Sequence, residues 1–183
     1  MFTAAVLTLS DKGSRGERED LSGKILAEML ARIGGRIETY VVLPDDRQLI
    51  EDKLIYYADQ YGVDVIATTG GTGVGPRDVT PDATRAVIDK DIPGMAEAMR
   101  LAGLQKTPFA MISRAVVGCR GKTLIINLPG SPKGVRENLE AILQAIPHAV
   151  EKLKGDPADC AAPDASARTV EVVTDSADQR LAP

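Results

Sequence analysis

A glycine-rich stretch between an apolar run and a proline constrains the fold of this chain more than any other feature. The apolar run covers residues 63–67, and residues 68–81 read TTGGTGVGPRDVTP. Because glycine has no Cβ, several backbone N–H groups in such a stretch can converge on one anion. Thr80 followed by Pro81 predicts a helix with Thr80 as its N-cap residue. The stretch therefore predicts a strand, a glycine loop and a helix, an arrangement that places a phosphate at a helix N-terminus.

Apolar runs and helical periodicity alternate along the rest of the chain. The predicted strands cover residues 2–9, 36–43, 63–68, 115–119 and 123–128. The predicted helices cover residues 20–33, 45–61, 83–90 and 93–102, and a last one follows Pro132 and is kinked or split at Pro147. The tight link between the last two strands favours an antiparallel pair, since a parallel crossover needs a dozen or more residues. We therefore expect an α/β fold, a three-layer α/β/α sandwich with a mostly parallel sheet and one antiparallel strand.

The length and composition suit one domain. A chain of 183 residues with 44% hydrophobic side chains can bury a full core. We assign that domain to residues 1–154. Residues 155–183 are rich in Ala, Asp, Pro and Ser, and we expect a poorly ordered tail in which only residues 169–173 resemble an edge strand.

Charge and composition also bear on the partners and the compartment. The net charge is −4 and aromatic residues make up only 3%, which disfavours a nucleic-acid binder. Cys119, Cys160 and the single histidine, His148, match no metal-ligand spacing. The chain shows no signal-peptide pattern and no apolar run long enough to span a bilayer. We expect a cytoplasmic protein with no membrane partner.

Asp78 lies within the glycine-rich stretch and is the acidic residue that we most strongly expect to have a functional role. Because Thr80 already fits the cap position, neither Asp78 nor Arg77 has an evident structural role in the sequence. A carboxylate beside a phosphate repels it unless a divalent cation lies between them, and Mg²⁺ prefers oxygen ligands and bound phosphates. The sequence therefore predicts a metal-binding or catalytic role for Asp78.

Asp45 allows two interpretations. Asp45 and Gln48 fit a capping box, with Asp45 as the N-cap residue of the following helix, and local signals favour this interpretation. Asp45 also follows the carboxyl end of a strand, the edge at which open α/β sheets bind ligands. Asp46 is an alternative cap that would release Asp45 for such a role.

Two further loops are expected at the same edge of the sheet. Ser10 and Asp11 follow the first strand, and residues 127–132, NLPGSP, follow the last. Ser131-Pro132 repeats the cap-and-proline pattern and predicts a second helix N-terminus for an anion. Together with the basic side chains of Lys12, Arg77 and Lys133, these features suit a ligand with several phosphates.

The segments TGGTG at 69–73, RDVTP at 77–81 and NLPGSP at 127–132, with Ser10-Asp11, resemble the molybdopterin adenylyltransferase (MogA/MoaB-type) family of molybdenum cofactor biosynthesis. The resemblance covers about residues 2–154. It implies a single-domain α/β sandwich that usually assembles as a homotrimer. It also implies that ATP and Mg²⁺ are used to adenylylate molybdopterin with release of pyrophosphate. The product would then pass to a molybdate-inserting enzyme.

The resemblance also assigns roles to residues. It implies that Asp45 and Asp78 are the catalytic and Mg²⁺-binding aspartates, which by analogy replaces the capping interpretation of Asp45. Two other functions stay open at this point, a non-catalytic molybdopterin-binding module and a nucleotide-binding regulatory subunit. A pair of carboxylates favours catalysis over the second of these, since a mere anion binder gains nothing from two carboxylates. The remaining ligand-binding residues that the resemblance implies are Ser10, Asp11, Thr69, Gly70, Gly71, Thr72, Gly73, Thr80, Pro129, Gly130 and Ser131.

Overall fold

Within residues 1–157, which the computed structural model describes, one six-stranded sheet has the order β2-β1-β3-β6-β5-β4. The strands are β1 (Phe2–Leu9), β2 (Gly35–Leu43), β3 (Val65–Thr69), β4 (Lys90–Asp91), β5 (Val117–Arg120) and β6 (Thr123–Leu128). β1 pairs in parallel with β2 and β3, and β3 pairs in parallel with β6. β5 is antiparallel to both of its neighbours. The predicted mostly parallel sheet with one antiparallel strand is confirmed.

Helices cover both faces of this sheet. They are α1 (Asp11–Ser14), α2 (Leu21–Arg32), α3 (Arg47–Ile55), α4 (Thr80–Val87), α5 (Pro93–Leu104), α6 (Pro132–Ile142) and α7 (Ala145–Leu153). A π-helical turn, Tyr56–Tyr61, continues α3, and a 3₁₀ helix, Pro108–Ile112, follows α5. Within the same described residues, no helix is both long and apolar enough to cross a bilayer.

The two faces of the sheet bury separate hydrophobic clusters, which confirms the three layers. On β1, Ala4 and Val6 belong to the cluster that α2, α5, α6 and α7 cover. Ala5 and Leu7 belong to the cluster that α3 and α4 cover. A strand that is buried on both faces has no polar side, which is why its sequence is a continuous apolar run.

One predicted helix extends too far. Residues 88–90 were assigned to a helix, but α4 ends at Val87, and Lys90 and Asp91 pair with β5 as a short edge strand. A two-residue strand is too short to show any periodicity. The last helix is split as expected, because α6 ends at Ile142 and α7 begins at Ala145. Pro147 is the third residue of α7, where a missing N–H breaks no helical hydrogen bond.

The parallel pairing brings the carboxyl ends of four strands to one edge. Leu9 pairs with Leu43, Thr8 pairs with Thr69, and Thr69 pairs with Leu128. The loops that begin at residues 10, 44, 70 and 129 therefore leave the sheet side by side. The tail strand predicted at residues 169–173 lies outside the described residues.

Candidate active site at the carboxyl edge of the sheet

Gly70 fixes the start of the glycine loop between the ends of two strands. Its φ is +104°, and a Cβ at this position would collide with the carbonyl oxygen of Leu9. Its amide donates to the Leu128 carbonyl at 3.1 Å, so the loop is tied to β6 as well as to β1. Only glycine combines this backbone conformation with so close an approach of two chain segments.

Thr80 does not act as the predicted N-cap. It is the first residue of α4, Pro81 is the second, and Val79 precedes them without a side-chain cap. The fully buried Thr80 hydroxyl instead donates to the Gly70 carbonyl at 2.9 Å. The cap prediction was wrong because this loop carbonyl, ten residues earlier in the chain, is a competing partner that the local sequence does not reveal.

The next part of the glycine loop carries unpartnered backbone donors. The amides of Gly71, Thr72 and Gly73 donate to no acceptor among the described residues. Unpartnered amides in a glycine-rich turn are the kind of donor that binds an anion. The second helix N-terminus lies nearby, where the Ser131 hydroxyl caps α6 by accepting from the Gly134 amide at 3.1 Å, as predicted.

Asp45 is not the helix cap that the local signals favoured. Asp46 is the N-cap residue of α3, and its side chain accepts from the Leu49 amide at 2.9 Å. Asp45 instead makes two reciprocal bonds with Asp11, in which the amide of each donates to the carboxylate of the other at 3.0 Å. The alternative interpretation, in which Asp46 caps and Asp45 is released, is confirmed.

Arg77 has a structural partner that the sequence did not indicate. Its Nε and Nη2 donate to the two Asp11 carboxylate oxygens at 3.0 and 2.8 Å. Asp11 and Arg77 lie 66 residues apart in the chain, so no local pattern links them. Both Asp11 oxygens are engaged, and Asp11 holds Asp45 and Arg77 in place without lining the cleft.

The electrostatic setting of Asp45 is unfavourable for its negative charge. Partial burial raises the pKa of Asp45, and the nearby carboxylates of Asp11 and Asp78 raise it further. The hydrogen bond from the Asp11 amide and the charge of Arg77 oppose that shift. A buried carboxylate that neighbouring carboxylates destabilise gains from a cation beside it.

Asp78 closes a turn within the glycine loop. Its Oδ2 accepts from the Gly75 amide at 2.8 Å, and its own amide donates to the Gly75 carbonyl at 3.0 Å. The inference that Asp78 lacks a structural role was therefore wrong. Its Oδ1, like the Oδ1 of Asp45, makes no hydrogen bond within residues 1–157, so each aspartate keeps one oxygen for a ligand.

Arg114 fixes the outer part of the glycine loop, and sequence reasoning missed it. Its Nε donates to the Gly73 carbonyl at 2.8 Å, and its Nη2 donates to the Asp78 carbonyl at 2.6 Å. The same guanidinium pairs with the Asp82 carboxylate at 2.6 Å. No motif surrounds Arg114, which lies between the 3₁₀ helix and β5, so only the folded structure reveals this role.

These loops enclose a cleft of 360 Å³. The predicted site residues that line it are Ser10, Asp45, Gly70, Gly71, Asp78, Gly130 and Ser131. A second cavity of 310 Å³ lies on the other side of the glycine loop, and Thr72, Gly73, Pro129 and Ser131 line it. Asp11, Thr69 and Thr80 line neither space. Thr69 and Thr80 support the loops, because the Thr69 hydroxyl donates to the Pro129 carbonyl at 2.7 Å and Thr80 binds Gly70.

The cleft also includes residues that the sequence did not single out, namely Thr8, Arg18, Asp20 and Ser22. Asp20 caps α2 by accepting from the Gly23 amide at 2.9 Å, and Ser22 donates to the Gly130 carbonyl at 2.8 Å. The cleft therefore extends across the sheet edge, from the α2 side to the side that carries Asp45 and Asp78.

Comparison with known proteins identifies the family. Residues 5–148 match the family described as "Probable molybdopterin binding domain". The chain is 47% identical over 153 residues to a molybdopterin adenylyltransferase of Helicobacter pylori, across 82% of this chain and 87% of that protein. It belongs to the molybdopterin adenylyltransferase family.

Two further relatives agree with this assignment. The Escherichia coli K12 molybdopterin adenylyltransferase is 36% identical over 165 residues, across 82% of this chain and 84% of that protein. The crystal structure of the molybdopterin biosynthesis enzyme MoaB from Thermus thermophilus superposes with a TM-score of 0.80 at 52% identity. That superposition covers 86% of this chain and 99% of the Thermus protein. These comparisons confirm the family resemblance that the sequence motifs indicated. They also confirm the predicted α/β/α sandwich.

Proposed function

We propose that this protein transfers an adenylyl group from ATP to the terminal phosphate of molybdopterin, in a Mg²⁺-dependent reaction that releases pyrophosphate. One observation carries the proposal. Asp45 and Asp78 reach one cleft beside unpartnered glycine-loop amides, and each keeps one oxygen that no described group occupies. Membership of the molybdopterin adenylyltransferase family supports the choice of substrates.

The reaction joins two anionic groups. A phosphate oxygen of molybdopterin attacks the α-phosphorus of ATP, and the bond from that phosphorus to the β-phosphate oxygen breaks as pyrophosphate leaves. Such a step depends on in-line positioning and on neutralisation of charge. The amides of Gly71, Thr72 and Gly73 and the N-terminus of α6 would donate to the phosphate oxygens. The nucleophile is already ionised, so the reaction needs no strong general base.

The residues at the cleft fit a magnesium ion bound together with a nucleotide. Within residues 1–157, no group of three or more His, Cys, Asp or Glu is arranged to hold a metal ion. Mg²⁺ commonly binds through one or two carboxylates and completes its shell with water and substrate phosphates. Asp45 and Asp78 would supply those carboxylates. The raised pKa of Asp45 reflects its partial burial and the repulsion from Asp11 and Asp78, and a cation would relieve that repulsion. When bound, Mg²⁺ would neutralise charge that develops on the transferring phosphates.

Two neighbouring cavities suit a reaction between two large substrates. Ser131 lines both the cleft and the second cavity, and the glycine loop separates them. A nucleotide and a pterin could occupy the two spaces with their phosphates meeting at the loop. This arrangement supports catalysis over a module that binds one ligand.

We also propose that the protein is a cytoplasmic homotrimer that delivers its product to a molybdate-inserting enzyme, as the family resemblance implies. Five of the large hydrophobic side chains that are exposed within the described residues fall between residues 101 and 112, which supports an interface there. They are Leu101, Leu104, Phe109, Met111 and Ile112.

The test is a direct assay of the purified protein with ATP, Mg²⁺ and molybdopterin. We expect pyrophosphate release and an adenylylated pterin of matching mass. We expect Asp78→Asn to abolish turnover and to leave molybdopterin affinity nearly unchanged. Tight pterin binding without turnover by the wild-type protein would identify a binding module instead. Unaltered turnover by Asp78→Asn would remove Asp78 from the mechanism.

A further inference from the structure

The loop that follows β6 is held by two buried hydroxyl groups. The Thr69 hydroxyl, at the end of β3, donates to the Pro129 carbonyl at 2.7 Å. The Ser22 hydroxyl, in the first turn of α2, donates to the Gly130 carbonyl at 2.8 Å. Thr69 is completely buried and Ser22 is only 5% exposed. The loop is therefore fixed from two sides, by the sheet and by a helix that covers the sheet.

The carbonyl and amide groups of this loop differ in their hydrogen bonding. The Leu128 carbonyl accepts from the Gly70 amide at 3.1 Å, and the Ser131 carbonyl accepts from the Val135 amide at 2.9 Å. With the two hydroxyls, four successive carbonyls thus have a donor. The amides of Gly130 and Ser131, by contrast, donate to no acceptor within residues 1–157. These two amides remain free to donate to a ligand.

The geometry of the peptide bond connects the two observations. All the peptide bonds of this loop are trans, and in a planar trans peptide the C=O and the N–H point in opposite directions. When Thr69 fixes the Pro129 carbonyl, it therefore also fixes the direction of the Gly130 N–H. Ser22 fixes the Ser131 N–H in the same way, through the Gly130 carbonyl. Both amides point away from the buried hydroxyls, and both residues line the cleft.

The same loop lies against the start of the glycine loop. A Cβ at Gly130 would lie 3.2 Å from the Gly70 Cα, which leaves no room for a larger residue unless one of the two loops moves. The free amides of Gly130 and Ser131 are therefore close in space to the unpartnered amides of residues 71–73. A phosphate bound where the two loops meet can accept hydrogen bonds from both of them.

We propose that Ser22 and Thr69 are positioning residues for the adenylyl transfer, an inference that rests on the proposed function. Their hydroxyls hold two peptide units so that the Gly130 and Ser131 amides face a substrate phosphate. Thr69 lines neither cavity, so it acts only through the loop. Because the amides are oriented before the ligand binds, they stabilise charge on the phosphate without first having to turn.

The first test uses two substitutions of Thr69 that separate its hydroxyl from its shape. Thr69→Val keeps the shape and loses the hydroxyl, whereas Thr69→Ser keeps the hydroxyl and loses a buried methyl group. We expect kcat/KM with ATP and molybdopterin to fall about tenfold or more in Thr69→Val, since a misaligned donor no longer stabilises the transferring phosphate. Thr69→Ser should recover most of that loss. Both variants should lower the Tm by about 2–4 °C, so stability does not explain the difference between them.

Ser22→Ala removes the second hydroxyl and should reduce kcat/KM to a similar extent. Thr123→Val is the matched control, because the buried Thr123 hydroxyl also donates to a carbonyl, that of Val63, at 2.6 Å. This bond lies at the opposite edge of the sheet, where β6 begins. We expect Thr123→Val to lower the Tm as Thr69→Val does and to leave kcat/KM within about twofold of the wild-type value.

The second test observes the two amides directly by NMR. In the wild-type protein, saturating ATP with Mg²⁺, or saturating molybdopterin, should move the amide proton signals of Gly130 and Ser131. Thr69→Val should reduce the movement of the Gly130 signal most, and Ser22→Ala that of the Ser131 signal, because each hydroxyl fixes a different peptide unit. A general loss of stability would affect both signals alike.

The outcomes separate this inference from the proposed function. If the wild-type protein turns over but Thr69→Val and Ser22→Ala match Thr123→Val in kcat/KM, the hydroxyls only stabilise the fold and the positioning role alone is wrong. The role is also overturned if neither substrate moves either amide signal in a wild-type protein that turns over. If both signals move without turnover, the proposed function fails, and the effect of Thr69→Val on the Gly130 signal decides the positioning role. Without turnover and without any movement of the signals, both fail.

Discussion

Asp11 and Asp45 hold each other in place through a reciprocal pair of hydrogen bonds, in which the backbone amide of each donates to the carboxylate of the other at 3.0 Å. The two residues follow neighbouring parallel strands, so the pair locks together the loops that leave β1 and β2. Arg77 completes the arrangement by binding both Asp11 oxygens. The position of Asp45 therefore depends on a residue that does not itself line the cleft.

Replacement of Asp11 tests this dependence. In Asp11→Ala, Asp45 loses the acceptor for its amide and Arg77 loses its partner. We expect kcat to fall by as much as about 100-fold, the scale that a displacement of about 1 Å produces at a reacting centre, with a smaller change in KM. Steady-state assays with ATP and molybdopterin measure both. Asp52→Ala, which removes an exposed carboxylate from α3, should leave kcat unaltered, and an equal loss in both variants would contradict the positioning role.

Arg114 offers a test of loop rigidity. Lysine cannot reproduce the planar fork that joins the Gly73 and Asp78 carbonyls to the Asp82 carboxylate, so Arg114→Lys keeps the charge and loses the geometry. We expect faster amide hydrogen exchange across residues 71–79 and a reduced kcat. Arg85→Lys, at an exposed position of α4, is the matched control. Wild-type exchange rates in Arg114→Lys would show that other contacts suffice to fix the loop.

The repulsion among the carboxylates predicts a specific pH dependence. Burial and the charges of Asp11 and Asp78 raise the pKa of Asp45 above the value in the unfolded chain, so its ionised form destabilises the fold as pH rises through the native pKa. Asp45→Asn should therefore raise the Tm at pH 7. It should not raise the Tm at pH 3, where the side chain at this position is neutral in the wild type as well as in the variant. Asp78→Asn should lower the pKa of Asp45, measured by carboxyl-carbon NMR titration. An unchanged Asp45 titration in Asp78→Asn would show that the two side chains are not electrostatically coupled.

The proposed homotrimer predicts the effect of a charge in the exposed apolar segment. Phe109 is 76% exposed and carries little of the fold, so Phe109→Asp should leave the far-UV circular dichroism unaltered. At an interface between copies the buried charge would be costly, and we expect light scattering to show monomers in place of trimers. Tyr61→Asp, at an exposed aromatic on the π-helical turn, is the comparison, and it should keep the wild-type mass. A wild-type monomer would refute the assembly directly.

The sequence predicted the layers and the location of the site better than it predicted individual contacts. Continuous apolar runs indicated buried parallel strands, and the strand ends indicated which loops would meet. Ser131 caps its helix as predicted because its partner, Gly134, lies three residues away. Contacts between residues so close in the chain can be predicted from the local sequence.

Three of the failures involve partners that are distant in the chain. Thr80 donates to Gly70 instead of capping α4, Arg77 pairs with Asp11, and Arg114 reaches three separate parts of the site. Local capping rules cannot anticipate a competing acceptor that folding brings in from elsewhere. Nothing in the sequence indicated Thr8 either, since a threonine in an apolar strand gives no sign that it lines a cleft.

The way in which the glycine loop is fixed has a consequence for the order of synthesis and folding. Its contacts come from Leu9, Leu128 and Arg114, so the loop lacks part of its support until both flanking regions are present. During translation the loop leaves the ribosome well before Arg114 and β6. Contacts of such long sequence separation form late, after the local helices. A nascent or truncated chain that ends before β6 should therefore show helical structure without a fixed glycine loop.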